Sequence, residues 1–346
     1  MTGKMKELQF MTLDKNFNVN SIIFPTNIQW NRKYYEAGSF SIQLPVNQYD
    51  TAMKYVYTKD RPEMGIIQQV NYSIDQSGFE SVLISGYFLE YELNDKVIYP
   101  TFTANYTNVE DAITDLVTKY KEDIPLLTIN PSKHQGTASN FQTIGDALGD
   151  YVYYILTLHQ SSYRVKYDYE NNKKIFEVWQ GLDRTQEQSV NNPVTFSTYF
   201  GNLKQPNVVT NSTKYKNYAI VRGSLNGDTP VYAFTDLSDG GYKNKVYLEG
   251  SSIVYEDGMT QEEYIAALQQ YGREQLLNTH SIVINIQTDI LTGSYEYMND
   301  FDIGDKCDIV IGAIGMTVEA RIIAIYEVIK SGSHTLTLEF GNQVIK

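Results

Sequence analysis

The chain has 346 residues, with 28 Lys and Arg against 41 Asp and Glu, a formal charge of -13 at pH 7. That balance excludes a general nucleic-acid binder, which needs a cationic field to displace counterions from phosphate. The 42% hydrophobic content feeds globular cores, and the length predicts two or more domains and little disorder. One cysteine, Cys307, cannot form an internal disulfide, and no Cys/His cluster has zinc spacing. Met1 to Phe10 lacks the apolar core of a signal peptide, and the charge-free run Ile309 to Val318 is about half a membrane span. The expectation is a soluble protein made in a reducing compartment. The unusual feature is 29 tyrosines against 14 phenylalanines and 2 tryptophans. Tyrosine carries an apolar ring and a wet end, which suits sheet surfaces and interfaces.

In chain order, Phe40, Ile42 and Leu44 alternate with polar residues, as do Val82 and Ile84 and then Tyr87, Leu89 and Tyr91. That period of two predicts strands. Tyr99-Pro100-Thr101 separates this all-β part from a helix-bearing middle. There Thr107-Asn108-Val109-Glu110 reads as a capping box, followed by Val109, Ala112, Ile113, Leu116, Val117 and Tyr120 at helical spacing. Thr143-Ile144-Gly145-Asp146 is a weaker box before Ala147, Leu148, Tyr151, Val152, Ile155 and Leu158. Tyr163 to Asp168 and Ile175 to Trp179 form a hairpin around Asn171-Asn172. From Asn191-Asn192-Pro193 the chain is β again, with strands at Asn217 to Arg222 and Lys245 to Leu248 and a mobile loop over Asn226 to Tyr242. Thr260-Gln261-Glu262-Glu263 opens a third helix through Leu276, and Ser281 to Gln287 is a strand. Lys306 to Ile311, Thr317 to Glu327 and His334 to Phe340 make a meander, turning at Gly312 to Gly315 and Ser331-Gly332. The fold class expected is mainly β with α+β insertions: two barrel-like β domains, 1–98 and 191–346, the second with one helix, and an α+β domain over 99–190.

Candidate chemistry is sparse. Asp300-Phe301-Asp302-Ile303-Gly304-Asp305 starts like a calcium loop, but Gly304 and Ile311 stand where oxygen ligands belong, so a polar turn is the better reading. No P-loop, GxGxxG, HExxH or GxSxG sequence occurs. His134, His159, His280 and His334 are scattered, and Cys307 alternates within a strand like a packed side chain. Glu90 with Glu92, and Glu262 with Glu263, are the nearest acid pairs for glycoside hydrolysis. The first pair sits loosely on a strand, and the second is explained by capping. Tyr34-Tyr35, Tyr151-Tyr153-Tyr154, Tyr295-Tyr297 and Trp179 are candidate sugar platforms. The pair Tyr34-Tyr35, beside Arg32 and Lys33, is assigned to subunit contacts first. Asp183 and Arg184 read as a turn with Arg184 paired locally or across a subunit interface. No catalytic, cofactor or metal residue is assigned.

Three stretches together carry a resemblance. They are Trp30 to Pro45; Gly181-Leu182-Asp183-Arg184-Thr185 with Asn192 to Ser197, Gly201-Asn202-Leu203 and Lys214 to Asn217; and Phe301 to Lys306 with the closing Leu336 to Gly341. In this order they resemble the siphovirus baseplate-hub family, also called tail-associated proteins, of phages and prophages of Gram-positive bacteria. The resemblance implies a structural protein of the virion tail tip, assembled in the host cytoplasm. Three copies would close the tail tube as a ring, with two barrel-like domains per subunit. It further implies a distal tail protein, a tape-measure protein and a receptor-binding, spike or fibre protein as partners. DNA would pass through the ring during ejection without specific recognition, and no part of the chain would insert into a membrane. Neither a cofactor nor enzymatic activity is expected. Two alternatives stand beside this reading: a module binding cell-wall glycan or teichoic acid, and a peptidoglycan hydrolase.

Overall fold

The computed structural model describes residues 8–225, 229–255, 258–291, 294–330 and 333–341. The chain divides into two compact units, one built from the residues up to Pro206 with Gln287–Phe340, the other from Asn207–Ile286. The first strands are β1 Phe10–Leu13, β2 Val19–Ile23, β3 Asn27–Lys33, β4 Ser39–Pro45, β5 Tyr55–Tyr57, β6 Met64–Ile74 and β7 Glu80–Phe88. Then come β8 Phe102–Tyr106, α1 Val109–Tyr120, β9 Leu127–Ile129, β10 Ser139–Thr143, α2 Leu148–Leu158, β11 Ser162–Asp168 and β12 Lys173–Trp179. The remainder is β13 Thr195–Ser197, β14 Leu203–Asn211, β15 Tyr218–Leu225, β16 Thr229–Asp236, β17 Lys245–Glu249, α3 Gln261–Asn278, β18 Val283–Ile290, β19 Lys306–Ile311, β20 Met316–Lys330 and β21 Ser333–Gly341. The protein is mainly β, with several sheets.

The main sheet of the first unit runs β21-β20-β3-β4-β7-β6-β5-β1-β2, with β19 attached to β20 and β13 attached to β19. Its register follows from alternation. Ile28, Trp30 and Arg32 point inward from β3, and Phe40, Ile42 and Leu44 from β4, with Ile28 opposite Ile42 and Trp30 opposite Phe40. Trp30 lies against Phe10, Phe40 and Phe88 at ring distances of 5.6, 5.9 and 4.6 Å. The β3–β20 pairing from Asn27↔Lys330 to Lys33↔Ala324 joins the N-terminal strands to the C-terminal meander. The register of β6 shifts between Ile67 and Gln69, opposite Gly86. A Cβ at Gly86 would collide with the Ile66 carbonyl, so the bulge requires glycine there.

A second core of the same unit joins Leu13, Tyr55, Met64 and Leu93 to α1, α2, β11 and β12. It therefore runs across residues 98 and 99. Helix α1 buries the expected face, Val109, Ala112, Ile113, Leu116, Val117 and Tyr120. Its N-cap, however, is Asn108, whose side chain accepts from the Asp111 amide, and Glu110 instead accepts from the Gln135 amide. Asparagine is as good a cap as threonine and stands one residue nearer the apolar run. Of the box expected at Thr143 to Asp146, Thr143 ends β10 and bonds Asp146 outside the helix; α2 begins at Leu148 after Ala147, with no side-chain cap.

Tyr87 stays in β7, but Leu89 and Tyr91 do not continue a strand: Leu89–Asp95 is a short 3-10 helix. It seats two carboxylates against the α/β layer. Glu92 pairs at 2.6 Å with Lys174, whose side chain is fully buried, its ammonium 4.8 and 5.5 Å from the stacked rings of Phe17 and Tyr55. Glu90 accepts from the Val165 amide through one oxygen, while the other has no partner among the described residues.

The second unit is a mixed sheet in the order β16-β15-β17 with α3 packed on one face through Tyr264, Leu268 and Leu276. The expected loop over Asn226 to Tyr242 is corrected, since Thr229–Asp236 is a strand paired with β15. Residues 226–228, like the expected turn at 331–332, lie outside the described residues.

Burial lifts the Glu90 carboxyl from 4.5 to about 7. The folded state thus binds a proton that the unfolded chain releases near pH 4.5. The stabilisation is complete below that pH and falls as pH rises to about 7, by about 3 kcal/mol at 1.36 kcal/mol per unit. Urea titrations of Glu90→Gln should lose this loss between pH 5 and 8, with the variant more stable than the parent at pH 8.

Candidate functional site

Parts of the three sequence stretches that carry the resemblance, Arg32 and Tyr34, Gly181 to Arg184, and Asp302 to Asp305, meet in one buried junction of the first unit. From β3, Arg32 projects at a position whose neighbours on the same face, Ile28 and Trp30, are core residues, and it is 3% exposed. Its Nε donates to Glu63 Oε1 at 2.5 Å, and its Nη1 donates to Asp302 and to the Tyr297 hydroxyl, the latter at 2.9 Å. Glu63 also accepts from Trp30 Nε1 at 3.4 Å. Burial by itself would pull the Arg32 pKa down; Asp302 and Glu63 more than reverse this and hold it well above its ordinary value.

The network continues through Tyr297, whose ring faces the Arg61 guanidinium at 5.2 Å. Arg61 pairs with Glu327 on β20, its Nε donating at 2.8 Å, and His334 on β21 meets the same carboxylate at 2.8 Å. Burial raises the Glu327 carboxyl, but His334 and Arg61 outweigh it and leave the pKa below the usual range.

The second stretch docks beside the first. Asp305 accepts from the Leu182 amide and from Arg184 Nε, each at 2.7 Å, and from the Asp302 amide at 3.0 Å. Burial lifts its pKa, partly offset by Arg184. Asp183 closes its own turn by accepting from the Thr185 amide and hydroxyl at 2.9 and 2.7 Å. Gly304 adopts φ +84, and a Cβ there would stand 2.5 Å from the Tyr34 ring and 3.1 Å from Trp179, so glycine is needed on both counts. Arg321 donates to the Gly304 carbonyl and lies over the Tyr34 ring at 5.4 Å.

The other sequence candidates do not gather. Tyr34 is fully buried in this junction, so its assignment to subunit contacts is corrected. Tyr153 is core, Tyr154 points outward, and the Tyr295 hydroxyl accepts from the Thr195 amide at 3.1 Å. His134 binds Asp111, His159 meets Thr137, and His280 meets the Lys214 carbonyl, each apart from His334. Glu90 and Glu92 belong to a 3-10 helix rather than a strand. Glu263 completes the capping box of α3, with Glu262 in the same first turn. Cys307 is buried, and burial raises its thiol pKa well above the usual value, which keeps it protonated and inert. Asp300 caps the Glu296 amide while Asp302 and Asp305 take the partners above, so the calcium-like acids diverge. No group of three His, Cys, Asp or Glu able to hold a metal occurs among the described residues.

Sequence reading missed Glu63, Arg61 and Glu327. The one signal available was Arg32 itself, a permanent charge in an alternating run of core positions. Chemically the junction is a set of charges paired with one another inside the fold.

This architecture is that of phage tail proteins. It is similar to the 43 kDa tail protein of prophage MuSo2 from Shewanella oneidensis, with a TM-score of 0.63 and 12% identity over 97% of this chain and 98% of that one. The tail protein from Neisseria meningitidis MC58 gives 0.62 and 11% over 97% of each chain. Prophage tail protein gp18 from Listeria monocytogenes EGD-e gives 0.58 and 12% over 98% and 95%. Such identities establish a shared fold. Among curated proteins, none matches the chain significantly. The profile of the family described as Siphovirus ReqiPepy6 Gp37-like protein matches residues 13–342, and the chain belongs to that family.

Replacing Arg32 by Ala should leave Glu63 and Asp302 buried without their cation and cost about 3–5 kcal/mol in denaturant unfolding. The triple variant Arg32→Met, Glu63→Gln, Asp302→Asn should recover most of that loss.

Proposed function

We propose that this protein is a non-enzymatic hub of the siphovirus tail tip, three copies of which form a ring that closes the tail tube. In this reading, residues 1–98 and 191–346 supply the two barrel-like ring domains, and 99–190 forms a smaller domain beside them. The ring contacts a distal tail protein, the tape-measure protein inside the tube, and a receptor-binding, spike or fibre protein beyond it. It assembles in the host cytoplasm and ends in the virion tail tip.

The observation that carries the reading is the likeness to three tail proteins along almost the full length of each chain. The junction agrees with it, since its charged groups are consumed in holding strands together and not offered to a substrate. No helix among the described residues is long and apolar enough to cross a membrane. The acidic chain suits a conduit that DNA crosses without being gripped.

Sedimentation equilibrium of the protein, alone and with its distal tail protein, should give a trimeric mass in at least the mixture. Purified peptidoglycan should release no soluble fragments in its presence. A monomer under both conditions, or turnover abolished by mutating one carboxylate, would reject the proposal.

A further inference from the structure

A 3-10 helix has poorer hydrogen-bond geometry than an α-helix, and runs beyond three or four residues are uncommon. Leu89–Asp95 runs for seven residues, directly after β7. Its support comes from side chains. Leu89 and Leu93 are buried in the core shared with α1, α2, β11 and β12. The other tethers are polar. The Tyr163 hydroxyl donates to the Glu90 carbonyl at 3.3 Å, and the Val165 amide donates to Glu90 Oε1 at 3.1 Å. Lys174 donates to Glu92 at 2.6 Å, and Asn94 Nδ2 donates to Asp150 at 2.7 Å. The segment is thus fastened to β11, β12 and α2 largely through groups that titrate.

Glu90 is the tether whose surroundings least suit a charge. It is 6% exposed, and its Oε2 is buried with no partner among the described residues. Its own amide and that of Val165 favour the ionised carboxylate, and burial outweighs both. The nearby cations are taken: Arg32 on β3 is held by Glu63 and Asp302, and Lys174 on β12 by Glu92. Glu63, just before β6, adds a like charge. From β11 and α2 the neighbours are Tyr163 and Tyr153, whose hydroxyls burial keeps neutral. Asp150 on α2 acts on Tyr163, and Glu36, after β3, acts on Tyr153, each with the same sign as Glu63. An ionised Glu90 therefore gains solvation when the segment moves off β11.

We propose that Leu89–Asp95 is a proton-held latch: the neutral Glu90 carboxyl fastens it to β11, and ionisation releases it from the α/β layer while the strands of the unit stay paired. This device goes beyond the hub reading and does not rest on it, because it is read on the isolated chain. With the latch closed the Glu90 pKa is raised to about 7, and with it open the carboxyl returns to the ordinary 4.5. Opening is therefore least below pH 4.5, grows about tenfold per pH unit as pH rises to about 7, and is constant above that.

The test is hydrogen–deuterium exchange of the full-length protein between pH 5 and 8, with each rate corrected for the chemical exchange rate at that pH. Peptides covering 89–96 and 162–168 should open on the order of 100-fold more at pH 8 than at pH 5, the rise levelling off above pH 7. Peptides from β3 and β4 should not change. Glu90→Gln should remove the pH dependence from both responsive peptides. Tyr163→Phe, which deletes the hydroxyl bond to the Glu90 carbonyl, should raise opening at every pH and keep the parent's pH dependence. The proposal is overturned by a flat profile in the parent, or by a pH dependence that survives in Glu90→Gln. An equal rise in β3 and β4, which marks unfolding of the whole unit, overturns it as well. Should Glu90→Gln fail to fold, the profiles of the parent and of Tyr163→Phe decide the matter by the same criteria.

Discussion

Arg32 places a permanent charge where the alternation of a strand calls for a core side chain. Removing a guanidinium from water costs several kcal/mol, and only close carboxylates with good geometry offset it. Glu63 comes from 31 residues away and Asp302 from 270. The solvation of one side chain therefore requires the two ends of the first unit to come together. Arg61, Glu327 and His334 repeat the arrangement a short distance along the same seam. Hydrophobic burial supplies more free energy in total, but it is non-directional. The buried ions set which strand meets which turn.

Specificity of this kind suits a chain whose cores are otherwise permissive. Aromatic packing accounts for much of the tyrosine excess. Tyr153, Tyr163 and Phe176 form a buried run, and Tyr55 and Tyr167 both lie against Phe17. Where a hydroxyl is buried with its ring it can still find a partner, as Tyr163 does in the Glu90 carbonyl and Tyr167 in Asn172. A second population stays outside, on the face of β15–β17 away from α3 and at Tyr99, Tyr199 and Tyr242. The two populations have the same composition, and only packing distinguishes them.

Legibility followed the range of the interaction. Helix α3 was readable to its capping box because Thr260 and Glu263 satisfy each other three residues apart. The hairpin of β11 and β12 was readable because Asn172 accepts a positive φ at its turn. The start of α1 was displaced by one residue, because Thr107 and Asn108 are both competent caps and the fold uses the second. Leu89 and Tyr91 read as strand by alternation, yet their segment is drawn into a 3-10 helix where Glu92 reaches Lys174, 82 residues away. The strand Thr229–Asp236 hid inside a stretch that reads as loop, since Gly and Asp at its flanks dominate the local signal while its pairing partner lies on β15.

The chain by itself determined what depends on neighbours along it: a mainly β composition, three amphipathic helices, the turn glycine at 304 and the class of protein. Tertiary structure decided what depends on distant partners. It turned Tyr34 from a presumed contact residue into core, and gave Arg184 and Asp305 to each other. It also left one face of a small sheet uncovered. The reason is that desolvation is assessed over a whole environment, and sequence spacing carries no record of which carboxylate, ring or solvent will complete it.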